Sequence, residues 1–405
     1  MNNPREAAFF AVWKYFDTGV FVADTLENWP IEGRERRLAQ EIAFGTVRKK
    51  LSCEHLAAQS TPHKRLKIKK KERALLLTAV YQLAFMERLP SYAICDEAVK
   101  LATLHCHRSF PKFLNAVLRR LCDELPSIPE KDDLQSLSIR YSYPPFLIEK
   151  LLEDYDMDTT KSVLALGNKA AIPMARLRSK ALPPGLERLT DNPPMATITD
   201  TSLIKSLIAR DDLYIQNATP VNLLYQLAEN IEEPKNILDL CASPGGKLIA
   251  ASDLFPKAHL FANDVSETKI ERLQENLKKY HLDATVSCSL GEEFKSDTLF
   301  DLIIIDAPCS NSGTMNKRPE ARWRISQESI QEQMELQLSL LTHTKKLLSP
   351  EGQLWYMTCS ILKEENENLV DKACQLLKMT PLSPPITLLP NATGWDGGFA
   401  QSLGL

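Results

Sequence analysis

The run Phe300-Asp301-Leu302-Ile303-Ile304-Ile305 limits the possible folds of this chain more than any other segment. It reads as a buried strand, and it stops at Asp306-Ala307-Pro308-Cys309-Ser310. A second run, Gln353-Leu354-Trp355-Tyr356-Met357, stops at Thr358-Cys359-Ser360. Two more strands are expected upstream. Asn236 to Leu240 leads into the glycine turn Cys241-Ala242-Ser243-Pro244-Gly245-Gly246-Lys247, and His259 to Ala262 ends at Asp264. Ser266 to Tyr280 reads as a helix with Glu267, Glu271 and Glu275 on one side. Short apolar runs separated by helical stretches predict a parallel α/β sheet. Such sheets bind ligands beyond the carboxyl ends of their strands. The glycine turn and both thiols are therefore expected to line one cleft.

The chain has 405 residues, enough for two or three domains, and its 44% hydrophobic and 25% charged content is that of a globular protein. A net charge of −3 conceals an asymmetry: the first 150 residues carry about +6 and the remainder about −9. Excess base at one end points to a polyanionic partner for that end. The nine cysteines include no CxxC pair, which argues against a zinc ribbon or a disulfide framework. Lys14 and Asp17 interrupt the early apolar residues, so no signal peptide is expected. No uncharged run reaches the roughly 18 residues of a membrane span. Reduced thiols make the cytoplasm the expected compartment, and a monomer is the expected state.

Residues 1–130 read as all helical. Apolar residues recur at three and four spacing in Phe9, Val12, Phe16 and Val20 and in Leu76, Val80 and Leu83. Pro90 is expected to close one helix and Ser91 to cap the next. The basic run Lys64, Arg65, Lys67, Lys69, Lys70, Lys71 precedes the most apolar helix. Lysines in a first turn oppose the helix dipole, which favours a phosphate-contacting loop over a merely solvated one. Pro126, Pro129 and Glu130-Lys131-Asp132-Asp133 suggest a linker. Residues 135–230 read as a small α/β module, opening with a helix from Phe146 to Tyr155, and residues 231–405 as the catalytic domain. His105 and His107 alternate on a helix and diverge, so no metal site is expected.

A strand, a Gly-Gly turn and a helix make a Rossmann-type first turn, in which Gly245 and Gly246 let the backbone approach a ligand. Asp264 lies about 20 residues on, where an acid reaches two ribose hydroxyls. The loop matches neither Walker A nor GxGxxG, which favours a single nucleoside ligand such as S-adenosylmethionine. Either cysteine alone is most simply a small buried hydrophobe, and a redox disulfide is a further reading. Two thiols at neighbouring strand ends beside a cofactor turn suggest another chemistry. Carbon 5 of a pyrimidine is a poor nucleophile. A thiolate added to carbon 6 makes it enamine-like, and the thiolate leaves again when the carbon 5 proton is lost.

Together, Ala242-Ser243-Pro244-Gly245-Gly246-Lys247, Asp306-Ala307-Pro308-Cys309-Ser310, Lys317 to Trp323, and Thr358-Cys359-Ser360 with Glu365-Asn366 resemble the Nop/Sun family of RNA cytosine-5 methyltransferases. Tyr81-Gln82-Leu83, Glu97-Ala98-Val99 and Phe113 to Arg120 resemble the NusB-like RNA-binding domain. The fusion of the two resembles the Sun-type small-subunit ribosomal RNA methyltransferases. That resemblance implies Cys359 as nucleophile and Cys309 as the thiol that releases product. It implies that Cys241 to Lys247 and Asp264 hold S-adenosylmethionine, that Asp306 lies between cofactor and base, and that the helical domain positions ribosomal RNA. The sequence departs from the family pattern at Ser287 to Glu292, at Gln216-Asn217-Ala218-Thr219, and at Asp396-Gly397-Gly398-Phe399. A transfer RNA methyltransferase, or an RNA-binding assembly or antitermination factor, remains as the alternative.

Overall fold

The computed structural model describes residues 3–87, 89–229 and 231–405. They form two compact units. The first comprises residues up to Asn168 together with the detached segment Arg318–Trp323; the second comprises Lys169–Lys317 and Arg324–Leu405.

The first unit is helical: α1 (Pro4–Thr18), α2 (Val22–Glu27), α3 (Gly33–Arg48), α4 (Lys50–Gln59), α5 (Lys70–Phe85), α6 (Ser91–His105), α7 (Phe110–Asp123), α8 (Leu134–Tyr141), α9 (Pro145–Asp154) and α10 (Met157–Leu166). Phe9, Val12, Ile42, Leu76, Val80 and Leu118 are buried in its core, so the three-and-four periodicity in α1 and α5 marks the inward faces. Val20 lies past the end of α1 and is exposed. Pro90, not Ser91, is the N-cap of α6; Ser91 is its first helical residue and makes no capping bond. The stretch expected as a linker is anchored: His55 Nε2 lies 3.2 Å from the Ser127 carbonyl, and Arg140 Nε donates to the Pro129 carbonyl at 3.0 Å. Ser52 Oγ on α4 donates to the Ile139 carbonyl on α8 at 2.7 Å. The stretch 135–230 is accordingly shared between the units: its first three helices, α8 to α10, belong to the helical unit, and the remainder, strands and two further helices, belongs to the second unit.

The detached segment supplies the helical unit with a buried cation. Arg322 is wholly inaccessible, and its guanidinium lies 3.8 Å from the Tyr143 ring centre. It donates to the carbonyls of Arg48 (3.4 Å), Ser142 (3.3 Å) and Gly167 (2.9 Å), and to Asn168 Oδ1 at 2.8 Å. These carbonyls stand at the C-termini of α3, α8 and α10, where a positive charge is favoured. Trp323 Nε1 donates to the Val47 carbonyl at 3.0 Å.

The second unit holds two sheets. Strands β1 (Met174–Leu177), β2 (Leu186–Thr190), β3 (Met195–Ile198) and β4 (Leu213–Ile215) form an antiparallel sheet ordered β2-β3-β1-β4. The larger sheet contains β5 (Asn236–Asp239), β6 (His259–Asp264), β7 (Ala284–Cys288), β8 (Phe300–Asp306), β9 (Leu348–Thr358), β10 (Thr380–Pro381), β11 (Ile386–Leu388) and β12 (Gly398–Gly404). Its order is β10-β12-β9-β8-β5-β6-β7, with β11 on β12; β5 to β9 run parallel and β12 antiparallel. Helices α12 (Ala218–Ala228), α13 (Gly246–Leu254) and α14 (Glu267–Lys279) pack with the apolar residues of one sheet face; α15 (Gln327–Thr344) and α16 (Glu367–Leu377) pack with those of the other. The short α11 (Ile204–Ile208) packs with the small sheet. This is the expected Rossmann-like layering, with strand order reversing between β5 and β8. A crevice forms at the carboxyl ends of such a pair.

Candidate active site

Three strand ends build the site. β5 ends on Asp239 and β8 on Asp306, and β9 delivers Cys359 one residue past its end. Asp306 pairs in register with Met357, which places the two thiol loops side by side. Cys309 Sγ and Cys359 Sγ are 3.3 Å apart. Glu365, wholly buried, fastens the loops together: it accepts from the Ser310 backbone N–H at 2.8 Å and from Ser360 Oγ at 2.6 Å. Thr358 Oγ1 donates to Asn366 Oδ1 at 2.6 Å, and Asn366 Nδ2 donates to the Ser360 carbonyl at 3.0 Å.

The sulfurs differ in surroundings. Cys309 is buried, and its hydrogen bond with Cys359, its burial and the charge of Glu365 raise its pKa well above that of a free thiol. A thiol so held stays protonated at neutral pH. Cys359 is half-buried, with Asn311 Oδ1 at 3.2 Å accepting from its thiol. Cys359 lines a cavity of about 100 Å³ together with Asp306, Lys247, Pro220 and Asp396.

A second cavity, of about 210 Å³, shares Pro220, Lys247 and Asp306 with the first. Of the residues expected at the cofactor, Cys241, Ala242, Ser243, Pro244, Gly246, Lys247 and Asp306 line it. Gly245, at φ +103°, makes the turn without lining the cavity. Asp264 also stands off the lining; it accepts from the Ser243 and Val265 backbone N–H groups at 3.1 and 2.8 Å and pairs with Lys269. Glu292, at the departing stretch, does not line the cavity either. Lys247 forms an ion pair with Asp306. Burial alone would lower the Lys247 pKa, but Asp306 and Asp239 outweigh it and raise it.

Sequence reasoning missed Asp239. It lines the 210 Å³ cavity, is 1% exposed, and neither carboxylate oxygen has a hydrogen-bond partner among the described residues. Burial, reinforced by Asp306 and Asp264 and only partly offset by Lys247, pushes its pKa up to about 7. Its position as the polar terminus of a buried strand, immediately before the glycine turn, was the available signal. An acceptor so placed suits a ligand that brings its own cation, as the ammonium of S-adenosylmethionine would.

In the helical unit, Lys64, Arg65, Lys67, Lys69 and Lys70 are exposed. Lys70 lies 3.4 Å from Asp17, while Lys71 is half-buried with its ammonium 4.4 Å from the Trp13 ring centre. Arg65 and Lys67 line a groove of about 830 Å³ with Phe110 and Phe113. No group of three metal-ligating side chains occurs among the described residues, and no helix there is long and apolar enough to cross a membrane.

Two protein families match the chain: one described as 16S rRNA methyltransferase RsmB/F over residues 226–389, and the NusB family over residues 2–123. The chain is 30% identical to the ribosomal RNA small subunit methyltransferase B of Pasteurella multocida, covering 92% of this chain and 89% of that one. It is 29% identical to the protein of the same name from Vibrio cholerae, covering 98% and 96%. Among solved structures, PH0851 superposes with a TM-score of 0.76 at 21% identity, covering 99% of both chains. NSun6 from Pyrococcus horikoshii superposes with a TM-score of 0.56 at 16% identity, covering 65% of this chain and 98% of that one. At such identities these structures establish the fold alone.

Proposed function

This chain belongs to the family of ribosomal RNA small subunit methyltransferase B, and on that premise we propose that it methylates carbon 5 of a cytosine in small-subunit ribosomal RNA through a covalent bond between Cys359 and the base. The enzyme is an S-adenosylmethionine-dependent RNA methyltransferase. The observation that carries the finer reading is the 3.3 Å approach of two thiols beside a cavity that shares the Lys247–Asp306 ion pair with the glycine turn.

Asp239 and the Cys241–Lys247 loop would hold S-adenosylmethionine, which would supply an electrophilic methyl group. Cys359 adds as thiolate to carbon 6, which turns carbon 5 into an enamine-type nucleophile. Once carbon 5 carries the methyl group, loss of its proton returns the electron pair to the ring and expels the sulfur. Cys309, protonated and in contact with Cys359, is placed to assist that departure. The target base must leave its stack to enter so small a cavity. Asp306 stands on the wall common to both cavities, where its charge acts on cofactor and ring alike. The test of the reaction is bisulfite mapping of small-subunit ribosomal RNA from cells with and without this protein. One protected cytosine that becomes convertible in the deletion is expected; an unchanged map would reject the reading.

Asp239 makes a pH prediction. Only its ionised form attracts the ligand's ammonium, and that form is depleted below the raised pKa of about 7. S-adenosylmethionine affinity should fall about five-fold from pH 7 to pH 6 by titration of a single such group. Asp239→Asn should bind weakly and show a flat profile; isothermal titration at the two pH values decides it, and an unchanged slope in the variant would remove Asp239 from the site.

The basic run makes a second. Arg65, Lys67 and Lys69 are exposed and free to neutralise RNA phosphates. Changing all three to Gln should reduce the slope of log affinity against log salt by about 2, at about 0.7 per single-strand phosphate contact. A slope equal to that of the wild type, measured by filter binding to a ribosomal RNA fragment, would leave the run without a phosphate role.

A further inference from the structure

Asp396 opens the Asp396-Gly397-Gly398-Phe399 segment, one of those in which this sequence departs from its family's pattern. In the fold it meets a second such segment. Asn217 Oδ1 accepts from the Asp396 backbone N–H at 2.9 Å, and Thr219 Oγ1 donates to the Asp396 carbonyl at 2.7 Å. The Gly397 N–H donates to the Gly313 carbonyl at 2.8 Å. A Cβ on Gly397 would lie 2.3 Å from Ile361 Cγ2 and 2.9 Å from Gly313 Cα, so only glycine lets the chain pass there. Hydrogen bonds from two separate segments thus hold the Asp396 backbone at the wall of the 100 Å³ cavity that Cys359 lines.

The side chain is 7% exposed. One oxygen, Oδ2, pairs with Lys317; Asn316 also leans on the carboxyl. The other, Oδ1, has no hydrogen-bond partner among the described residues. A buried, rigidly mounted carboxylate oxygen with unused lone pairs requires a donor, and Asp396 lines the cavity that a target base must enter. Resting on the reaction proposed above, we propose that Asp396 is a substrate-contacting residue whose Oδ1 accepts a hydrogen bond from the target cytidine. Cytidine offers two donors that distinguish it from its competitors. The 4-amino group is replaced in uridine by a carbonyl oxygen, which Oδ1 would repel; the 2′-hydroxyl is missing from DNA. Either contact makes Asp396 a specificity residue, for base or for sugar.

The test combines protein variants with altered substrates. An RNA carrying the cytidine that the wild-type protein methylates is compared with two analogues, one with 2′-deoxycytidine and one with pyrimidin-2-one riboside at that position. Single-turnover formation of the covalent complex is measured for the wild type, Asp396→Ala and Lys317→Met. On normal RNA, Asp396→Ala should react about ten- to a hundred-fold more slowly, the range for a lost hydrogen bond to a charged group. On the analogue that lacks the partner group, wild type and Asp396→Ala should react alike; the analogue on which they converge names the donor. Lys317→Met keeps the acceptor and should retain the wild type's discrimination among the three substrates. Equal losses for Asp396→Ala on all three substrates would mark a structural role and overturn the proposal, as would no loss at all. Should Asp396→Ala fail to bind S-adenosylmethionine, Asp396→Asn is read in the same way, its amide turned so that a donor faces the substrate. A wild-type protein that forms no complex with any of the RNAs would sink the underlying reaction; the substrate-independent loss would sink only the role of Asp396.

Discussion

Cys359→Ala is expected to abolish methyl transfer and to leave no RNA attached to the protein, while Cys309→Ala is expected to accumulate a protein–RNA adduct. The sulfurs touch, yet their surroundings assign them different work. Cys359 lines the base cavity, with Asn311 Oδ1 accepting from its thiol. Cys309 does not line that cavity and holds its own proton through its hydrogen bond with Cys359, its burial and the nearby charge of Glu365. Loss of the nucleophile should lower the rate on the order of 10⁴-fold or more, as nucleophile removal does in other covalent enzymes. Loss of Cys309 leaves bond formation intact and slows departure, so the adduct persists as a retarded band on a denaturing gel. The double variant should show neither band nor product. A retarded band from Cys359→Ala, with none from Cys309→Ala, would exchange the two roles.

Arg322→Met should destabilise the helical unit by about 3–5 kcal/mol, the range for removing one member of a buried charged network. The methionine replaces much of the lost volume, so the deficit comes from polar groups. Three carbonyls at the ends of α3, α8 and α10, and the Asn168 side chain, would each lose a charged donor while remaining inside. The stacking of the guanidinium on Tyr143 would go as well. Burial already costs the guanidinium something, since it brings its pKa down to about 10, but at neutral pH the charge persists. Urea unfolding followed by circular dichroism measures the loss. A change below about 1 kcal/mol would mean that the helix ends find other donors. Arg322→Lys should recover only part, because an ammonium cannot reproduce the planar fork that serves several acceptors at once.

Much of this protein could be read locally. The parallel strands were legible because each is a short apolar run closed by a polar turn, and a strand buried on both faces tolerates little else. β9 begins five residues earlier than its apolar run, at Leu348, since pairing with β8 continues past the point where side-chain pattern gives any signal. The helices of residues 1–130 were legible from their periodicity. The anchoring of the proline-rich stretch near Pro129 was not, because it depends on Arg140 and His55, whose roles no local pattern announces. Lys71 belonged by sequence to a uniform basic run, yet it packs on Trp13 while its neighbours face solvent.

The linear order of turns, thiols and strands, and with it the chemistry available, was determined by the sequence alone, because glycine turns, strand ends and reactive side chains are properties of a few adjacent residues. The tertiary structure decided which of them meet. It set two cysteines fifty positions apart in contact, since β8 and β9 are parallel neighbours in one register. It left Asp239 and one oxygen of Asp396 buried without hydrogen-bond partners among the described residues, and it gave Arg322 to the helical unit. Burial and the loss of water as a partner come from segments distant in the chain, so they exist only once the chain has folded.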